Sequence, residues 1–356
     1  MPKILSVETE IPPVKITQNE AAEFAKQLFS SSFRDIGRLI NVFQNGEIES
    51  RYFVKDLEWF SREHSLQEKN DEFIHHSVEL GTKAVHKVLS SQNLTLKDID
   101  AILTISTSGL STPSLEARIM NRLPFSPHVK RIPIWGLGCA GGASGLSRAY
   151  EYCLAFPESN VLVLSIELCS LTFQHGDRSK SNLIGTSLFA DGVACALVCG
   201  DKSLAIKGLS QPLPTILATQ STLLEDSLDV MGWEVKENGL HVVFSKDIPT
   251  LVKNWLRPNV EGFIGANGVE LGNIKHFVAH PGGKKVIEAY REALGMDESM
   301  TNESMKVLKE YGNMSSVTIL YVLKEFMDKG CERGDIGLGT ALGPGFSSEL
   351  LLMRWE

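Results

Sequence analysis

The sequence has few of the features that mark membrane, disulfide-rich or nucleic-acid-binding proteins. Its 356 residues contain no apolar stretch long enough to span a bilayer and no recognisable signal peptide, so we expect a cytoplasmic protein. The six cysteines are then expected to be mostly reduced. A formal net charge of −8 argues against general nucleic-acid binding, which needs a basic surface.

Two further absences concern metal binding and domain organisation. Cys195 and Cys199 are four positions apart, but no histidine or second cysteine pair completes a ligand set, so no metal site is expected. No low-complexity or Pro-rich linker divides the chain, which favours packed halves over independent modules. With 43% hydrophobic residues the chain can bury a large core. We expect one half over residues 1–205 and another over residues 206–356.

The most informative stretch that is present places one cysteine among glycines. Cys139 lies within Gly136–Leu146, directly after an apolar run and directly before a helix-like segment. A helix N-terminus favours the thiolate, which is the form that attacks carbonyl carbon, so Cys139 is a candidate nucleophile with a lowered pKa. A buried core cysteine beside glycines that allow close packing explains the same residues. The stretch alone does not decide between the two.

An internal repeat links the two halves. Leu96–Ser106 and Leu271–His280 both have a polar lead-in followed by a short buried-strand pattern. Each is followed by a glycine turn with a helical segment, and each half then closes with a glycine turn before a strand. In this alignment Cys139 and Asn313 are 174 residues apart and occupy equivalent positions. The pattern predicts an α/β fold of two duplicated halves, with layers of helices around largely parallel sheets.

The repeat also predicts which residues meet. Cys139 and Asn313 would stand at equivalent helix N-termini and face one another. His280, where Pro-Gly-Gly stops an apolar strand, would project into the same space. Imidazole can pair with a thiolate and later donate hydrogen bonds to an oxyanion. A packed histidine at a strand end and an Asn helix cap are the structural alternatives.

A Cys, His and Asn set without lysine or metal suits decarboxylative condensation. The cysteine holds an acyl group as a thioester, while His and Asn stabilise the enolate that forms when a malonyl unit loses carbon dioxide. Proteolysis is the competing use of these residue types. The glycine-rich setting in a duplicated fold and the lack of a pro-segment argue against proteolysis.

Five motifs along nearly the whole chain resemble those of the type III polyketide synthases, the chalcone synthase family. They are Gly138–Gly142, Leu188–Gly192, His280–Gly283, Tyr311–Ser316 and Gly343–Gly345. The stretches Arg131–Gly142 and Ser108–Ser114 resemble the bacterial alkylpyrone synthases of this family, notably those of bacilli. The resemblance implies a thiolase-like αβαβα fold and a homodimer. It makes Cys139 the acyl carrier and His280 and Asn313 the decarboxylation and oxyanion pair, with coenzyme A thioesters as substrates and no further cofactor.

The resemblance also implies a set of residues around the substrate. Phe189 matches a gatekeeping aromatic, and Val242 stands where plant enzymes have a second phenylalanine. The smaller Val242 frees volume, which favours a long aliphatic starter. Thr112 matches a methionine that crosses the dimer interface in plant enzymes. The other implied substrate positions are Thr107, Thr172, Trp233, Ser315, Gly343, Pro344 and Gly345.

Contacts with coenzyme A are less directly implied. Basic residues near the tunnel mouth of the plant enzymes align with Asn45 and Glu49 here, so those contacts do not carry over. The nearest candidates follow the His-Pro turn, and they are Gly282, Gly283, Lys284 and Lys285.

The function expected from these observations is the iterative condensation of malonyl-CoA onto a long-chain fatty acyl-CoA, with alkylpyrones formed by lactonisation. Three alternatives stay open at this point. Alkylresorcinol formation by aldol closure uses the same residues. A 3-oxoacyl-acyl-carrier-protein synthase III-like enzyme would perform a single condensation on a carrier protein. A non-catalytic fatty-acyl binder could have kept the fold.

Overall fold

The computed structural model describes residues 1–30, 36–245 and 247–356. The described residues form thirteen strands and twelve α-helices. The strands are β1 (Lys3–Glu10), β2 (Val14–Thr17), β3 (Ser50–Phe53), β4 (Ala101–Ile105), β5 (Lys130–Ile134), β6 (Asn160–Leu168), β7 (Asp191–Cys199), β8 (Pro214–Leu223), β9 (Met231–Lys236), β10 (Gly239–Phe244), β11 (Ile274–Ala279), β12 (Ile336–Gly343) and β13 (Ser347–Trp355). The helices are α1 (Gln18–Phe29), α2 (Ile36–Leu39), α3 (Asn41–Asn45), α4 (Leu57–Phe60), α5 (Leu66–Ser91), α6 (Leu115–Met120), α7 (Gly141–Ala155), α8 (Lys180–Leu188), α9 (Ile248–Ala266), α10 (Lys284–Leu294), α11 (Asn302–Tyr311) and α12 (Thr318–Lys329).

Nine strands pair side by side and reveal the duplication. Their order is β11-β12-β13-β8-β1-β7-β6-β4-β5, and the two halves join where Lys3 of β1 pairs with Thr215 of β8. In the first half β1 pairs antiparallel with β7, β7 antiparallel with β6, and β6 parallel with β4. In the second half β8, β13, β12 and β11 repeat that pattern. The strands of the predicted repeat, β4 and β11, occupy equivalent positions.

Helices cover both outer faces and fill the space between the two halves. The helix α7 contacts strands of both halves and packs against α12, so these two form a central layer. On one side α5 packs against β1, β6 and β7, and on the other α9 packs against α10 and β13. Three separate hydrophobic clusters correspond to these layers. The arrangement is the predicted αβαβα stack, but the prediction of largely parallel sheets is wrong, because five of the eight strand pairings in the nine-stranded sheet are antiparallel. No helix in the described ranges is both long and apolar enough to cross a membrane.

Glycines allow the central helix to approach both halves closely. A Cβ at Gly142 would stand 2.1 Å from the carbonyl oxygen of Ser316, and one at Gly145 would stand 2.7 Å from Ile105 Cδ1. Neither position has room for a side chain. The glycines that follow Cys139 therefore do serve close packing, as the structural alternative held, and this packing brings α7 against the turn that carries Asn313.

One hairpin stands outside the nine-stranded sheet. β9 and β10 pair only with each other, in a register that sets Trp233 opposite Val242. The hairpin packs against α8, which ends at Leu188, next to Phe189. The hairpin thus places two predicted substrate residues, Trp233 and Val242, next to a third, Phe189, outside the main sheet.

Candidate active site

Cys139 lies in a tight turn that both halves hold in place. The turn is a single 3₁₀ segment, Gly138–Ala140, which leads into α7. The Gly138 amide donates to Thr107 Oγ1 at 3.0 Å. Gly138 has φ +46°, and a Cβ there would lie 2.7 Å from Pro344. A Cβ at Gly343 would lie 2.6 Å from Ala140 Cβ. The predicted residues Thr107, Gly343 and Pro344 therefore brace the turn that presents the thiol.

Asn313 reaches the thiol from the second half. Its Nδ2 donates to the Gly282 carbonyl at 3.1 Å, and its Oδ1 accepts from the Ser315 amide at 2.8 Å. The side chains of Ser315 and Asn313 both lower the pKa of the Cys139 thiol. Asn313 is not a helix N-cap, because a 3₁₀ segment begins at Ser315 and α12 begins only at Thr318. The amide instead shapes the turn while facing the thiol.

His280 is held by its backbone and leaves its ring free. It follows β11, with its amide donating to the Thr340 carbonyl at 2.8 Å and its carbonyl accepting from Gly282 at 3.0 Å. The side chain is buried, yet neither ring nitrogen bonds to a described residue. Gly282 connects His280 to Asn313, since it bonds to both. The backbone of His280 is therefore held in place, and both ring nitrogens are available to a substrate.

Burial controls the charge of the thiol and of the imidazole. Burial raises the pKa of Cys139 to about 12, against the smaller lowering effect of hydrogen bonds from Ser315 and Asn313. Burial lowers the pKa of His280 to about 3. The expectation of a lowered thiol pKa is wrong for this turn, because desolvation outweighs the helix end two residues away. Both groups are uncharged at neutral pH, so a thiolate must form by passing its proton to a nearby base.

Sequence reasoning missed a buried glutamate behind the site. Glu167 Oε2 accepts from the amides of Thr107 and Ser108 at 3.0 Å each and from Ser108 Oγ at 2.7 Å. Its Oε1 accepts from Ser316 Oγ at 2.6 Å. Glu167 thus connects Thr107 and Ser108, near the turn that carries Cys139, with Ser316, the neighbour of Ser315. One acidic residue inside the apolar strand β6 was the signal that could have identified it.

The predicted gatekeepers line a cavity of about 50 Å³. Phe189 lies opposite Asn313 in a parallel bridge, whose hydrogen bonds join the Asn313 backbone to Leu188 and Ala190. The ring centroid of Phe189 lies 5.5 Å from that of Trp233. Val242 and Thr172 line the same space. The rest of the wall is formed by twelve residues that the sequence did not single out, half of them aromatic or aliphatic. These are Ala21, Phe24, Arg51, Phe53, Leu57, Phe60, Cys169, Ser170, Phe173, Asn182, Gly185 and Thr186.

The remaining predicted residues lie elsewhere. Thr112 is exposed and does not line this cavity. Lys284 opens α10 directly after the Gly282-Gly283 turn and forms an ion pair with Glu47 at 2.5 Å, while Lys285 is exposed. Gly345, at φ +67°, continues the turn after Pro344.

One group of three potential metal ligands occurs among the described residues. It comprises His75, His76 and Glu79, all on α5. The Cys195 and Cys199 pair, buried in β7, belongs to no such group in the described ranges.

Comparison with known proteins agrees with the fold and with the motifs. Family models for the N-terminal and C-terminal domains of chalcone and stilbene synthases match residues 4–202 and 215–355. A putative chalcone synthase of Bacillus subtilis (strain 168) is 51% identical, over 99% of this chain and 98% of its own length. A 1,3,6,8-tetrahydroxynaphthalene synthase of Streptomyces peucetius subsp. caesius is 32% identical, over 99% of this chain and 93% of its own.

A solved structure extends the agreement to three dimensions. The crystal structure of 1,3,6,8-tetrahydroxynaphthalene synthase from Streptomyces coelicolor A3(2), a bacterial type III polyketide synthase, superposes with a TM-score of 0.93. It is 26% identical in sequence, and 99% of each chain is covered. The predicted thiolase-like fold is confirmed. The chain belongs to the chalcone and stilbene synthase family and is a type III polyketide synthase, an acyltransferase that forms carbon–carbon bonds.

Proposed function

We propose that this enzyme condenses malonyl-CoA units onto a long-chain fatty acyl-CoA starter and releases alkylpyrones. The observation that carries the proposal is the cavity that Phe189 and Val242 line together, where six aromatic rings form part of the wall. Such a wall suits an aliphatic chain, which gains free energy as its methylene groups leave water. The chemistry needs no metal or organic cofactor beyond the coenzyme A thioesters.

The first step loads the starter onto Cys139. As the sulfur attacks the thioester carbonyl carbon, its proton passes to a ring nitrogen of His280. A new bond joins Cys139 Sγ to the acyl carbon, the bond to the coenzyme A sulfur breaks, and the protonated imidazole returns the proton to that sulfur. This proton transfer compensates for the raised pKa of the thiol. A proton that moves from Cys139 to His280 leaves a pair of opposite charges, which is less unfavourable than one unpaired buried charge.

The second step makes the extending nucleophile. His280 and the Asn313 amide donate to the malonyl thioester oxygen, where negative charge gathers as carbon dioxide leaves. The resulting enolate carbon attacks the acyl carbon on Cys139. A carbon–carbon bond forms, and the bond to Cys139 Sγ breaks. Fixed donors of this kind commonly contribute about 10²–10³-fold to the rate.

Ring closure completes the proposed cycle. After a small number of extensions, an enol oxygen of the polyketide attacks its terminal thioester carbonyl, so a lactone forms and coenzyme A leaves as the thiol. A relative supports this choice of product. The alpha-pyrone synthesis polyketide synthase-like Pks18 of Mycobacterium tuberculosis (strain ATCC 25618 / H37Rv) is 28% identical over 98% of this chain and 90% of its own.

We further propose that the enzyme is a homodimer. β5 ends the nine-stranded sheet, and its residues are partly exposed, so its free edge is open to another strand. The exposed Thr112 precedes α6, which packs against β5. Light scattering of the purified protein should give twice the chain mass of 39.2 kDa. A monomer at working concentration would contradict the dimer.

The product assay tests the proposed function. The enzyme is incubated with palmitoyl-CoA and malonyl-CoA, and products are identified by mass spectrometry against synthetic alkylpyrones and alkylresorcinols. The proposal predicts alkylpyrones that disappear in Cys139→Ala. Products primed only by aryl-CoA, or activity that strictly requires an acyl carrier protein, would contradict it.

A further inference from the structure

Lys69 is buried and forms no ion pair with a described residue. It lies on α5 with 6% of its surface exposed, and the nearest charge acting on it is that of Glu63. Nζ donates instead to Gln174 Oε1 at 2.9 Å and to the Asn238 carbonyl at 2.6 Å. Burying an ammonium group away from any carboxylate is unfavourable unless its hydrogen bonds compensate. The ammonium group of Lys69 is therefore stabilised by its hydrogen bonds to these two acceptors.

Both acceptors lie in or against the β9–β10 hairpin. Asn238 is in the turn that joins the two strands, and Gln174 Nε2 donates to Leu240 at 3.0 Å and to Thr172 at 2.9 Å. Lys69 and Gln174, here called the Lys69–Gln174 clamp, thus connect α5, the segment after β6 and the hairpin. A Cβ at Gly239 would stand 2.6 Å from Gln174 Nε2 and 2.9 Å from Lys69 Nζ. The hairpin turn sits directly on the clamp.

The hairpin needs this support. A two-stranded hairpin is marginally stable by itself in water, and β9 and β10 pair with no other strand. Its two strands carry Trp233 and Val242, which form the wall of the substrate cavity beside Phe189. The position of that wall depends on where the hairpin is held.

The clamp also lies against unfilled space into which the substrate cavity could extend. Two smaller cavities of about 20 and about 10 Å³ are both lined by Lys69. The substrate cavity shares Thr172 with the first, and it shares Phe60 and Phe173 with the second. The segment from Thr172 to Gln174 therefore separates the substrate cavity from unfilled space that lies against the clamp.

We propose that the Lys69–Gln174 clamp sets the length of acyl chain that the cavity accepts, as a positioning device that acts through the hairpin and the Thr172–Gln174 wall. Releasing the clamp lets the wall give way toward the smaller cavities, so longer chains fit. The proposal rests on the proposed function in one respect, namely that the cavity holds the starter.

Two variants and a matched control test it. Lys69→Met keeps the length of the side chain without its donors, and Gln174→Leu removes the other half of the clamp. Lys83→Met is the control, because Lys83 is an exposed lysine on the same helix that bonds only to Glu79. Each variant is assayed for kcat and KM with saturated acyl-CoA starters of increasing length. Malonyl-CoA decarboxylation without a starter is measured alongside.

The expected result is a change in preference. Lys69→Met and Gln174→Leu should raise the ratio of kcat/KM for the longest starter to that for the shortest about tenfold, mainly through KM, as altered pocket fit does. Lys83→Met should match the wild type, and decarboxylation should be unchanged in all three. An unchanged ratio in the folded clamp variants, or an equal loss on every starter, would overturn the proposal.

A second measurement does not depend on the starter. Amide hydrogen exchange of Met231–Phe244 should be faster in Lys69→Met than in the wild type and in Lys83→Met. If the wild type uses no fatty acyl-CoA, the proposed function fails while this result still shows whether the clamp holds the hairpin. Unchanged exchange over the hairpin would overturn the clamp itself.

Discussion

The catalytic turns and the β9–β10 hairpin are built in different ways. The turns that carry Cys139 and Asn313 lie between the two halves, packed through glycines that leave no room for a Cβ and tied together by Glu167. The hairpin lies outside the main sheet and is held by the Lys69–Gln174 clamp and contacts with α8. The residues proposed to perform the reaction thus lie in closely packed turns. Trp233 and Val242, which are proposed to face the acyl chain, lie on a hairpin that pairs with no strand of the main sheet.

This difference has a consequence for variation of the enzyme. Changes at the turns should affect every substrate alike, because the same atoms act in each cycle. Changes at the hairpin should alter which substrates are used while leaving the reaction intact. Similar proteins differ in their products, since they include a 1,3,6,8-tetrahydroxynaphthalene synthase, a phloroglucinol synthase and an alpha-pyrone synthesis polyketide synthase-like protein.

The largest effect is expected at Asn313. Asn313→Ala removes the amide that faces the thiol and also the acceptor of the Ser315 amide. Malonyl-CoA decarboxylation should fall by about 10²–10³-fold with every starter, which is the usual cost of one lost oxyanion donor. The measurement is the rate of carbon dioxide release, with circular dichroism to verify folding. A loss confined to long-chain starters would show that Asn313 affects the choice of starter, as the hairpin does, and not decarboxylation.

Glu167 should show how firmly the turns are held. Glu167 accepts hydrogen bonds from four donors. Glu167→Gln replaces one carboxylate oxygen by an NH2 group, which cannot accept from them. We therefore expect a loss of about 3 kcal/mol in the free energy of unfolding. The matched control is Glu349→Gln, because Glu349 is also buried but accepts one side-chain hydrogen bond, from Ser221. The control should lose less than about 1.5 kcal/mol. Equal losses in urea unfolding would show that Glu167 does not organise the turns.

His280 should decide whether the thiol reacts at neutral pH. Burial raises the pKa of Cys139 to about 12, so His280→Ala leaves a thiol that ionises only as the pH rises toward that value. The iodoacetamide rate at Cys139 in this variant should rise about tenfold per pH unit through the alkaline range and be small at pH 7. The wild type, whose thiol can pass its proton to the imidazole, should react at least about ten times faster at pH 7. Identical pH profiles would show that His280 does not take the proton.

The smallest effect, and the most selective one, is expected at Val242. Val242→Phe adds a ring opposite Trp233 and close to Gly185, which narrows the cavity. Discrimination by pocket size commonly amounts to about tenfold, so kcat/KM for a long-chain acyl-CoA should fall about tenfold relative to a short one. Decarboxylation of malonyl-CoA is the internal control and should persist. A uniform loss would place the ring in the path of every substrate.

Much of the catalytic arrangement could be predicted from the sequence. The repeat and the order of the motifs were enough to bring Cys139, His280 and Asn313 into one site, since both depend on short segments with strong local signals. Phe189, Trp233 and Val242, which the resemblance placed around the substrate, also line one cavity. A fold built from duplicated halves makes distant residues equivalent, and the spacing in the sequence preserves that equivalence.

Other features depend on three-dimensional contacts that no local pattern records. The raised pKa of Cys139 follows from burial between two halves, which outweighs the helix end that the sequence did show. The roles of Glu167 and Lys69 depend on acceptors and donors more than fifty residues away in the chain. In the sequence, Lys69 is one charged residue in an amphipathic helix, and only the folded chain shows that it is buried.

The acyl-enzyme shows whether Cys139 carries a fatty acyl chain into the cavity beside Phe189. The enzyme is treated with palmitoyl-CoA alone, its intact mass is measured, and the modified peptide is located after digestion. We expect one acyl group per chain, bound as a thioester at Cys139 and absent in Cys139→Ala. Acylation at another of the six cysteines, or no acyl-enzyme while product still forms, would contradict it.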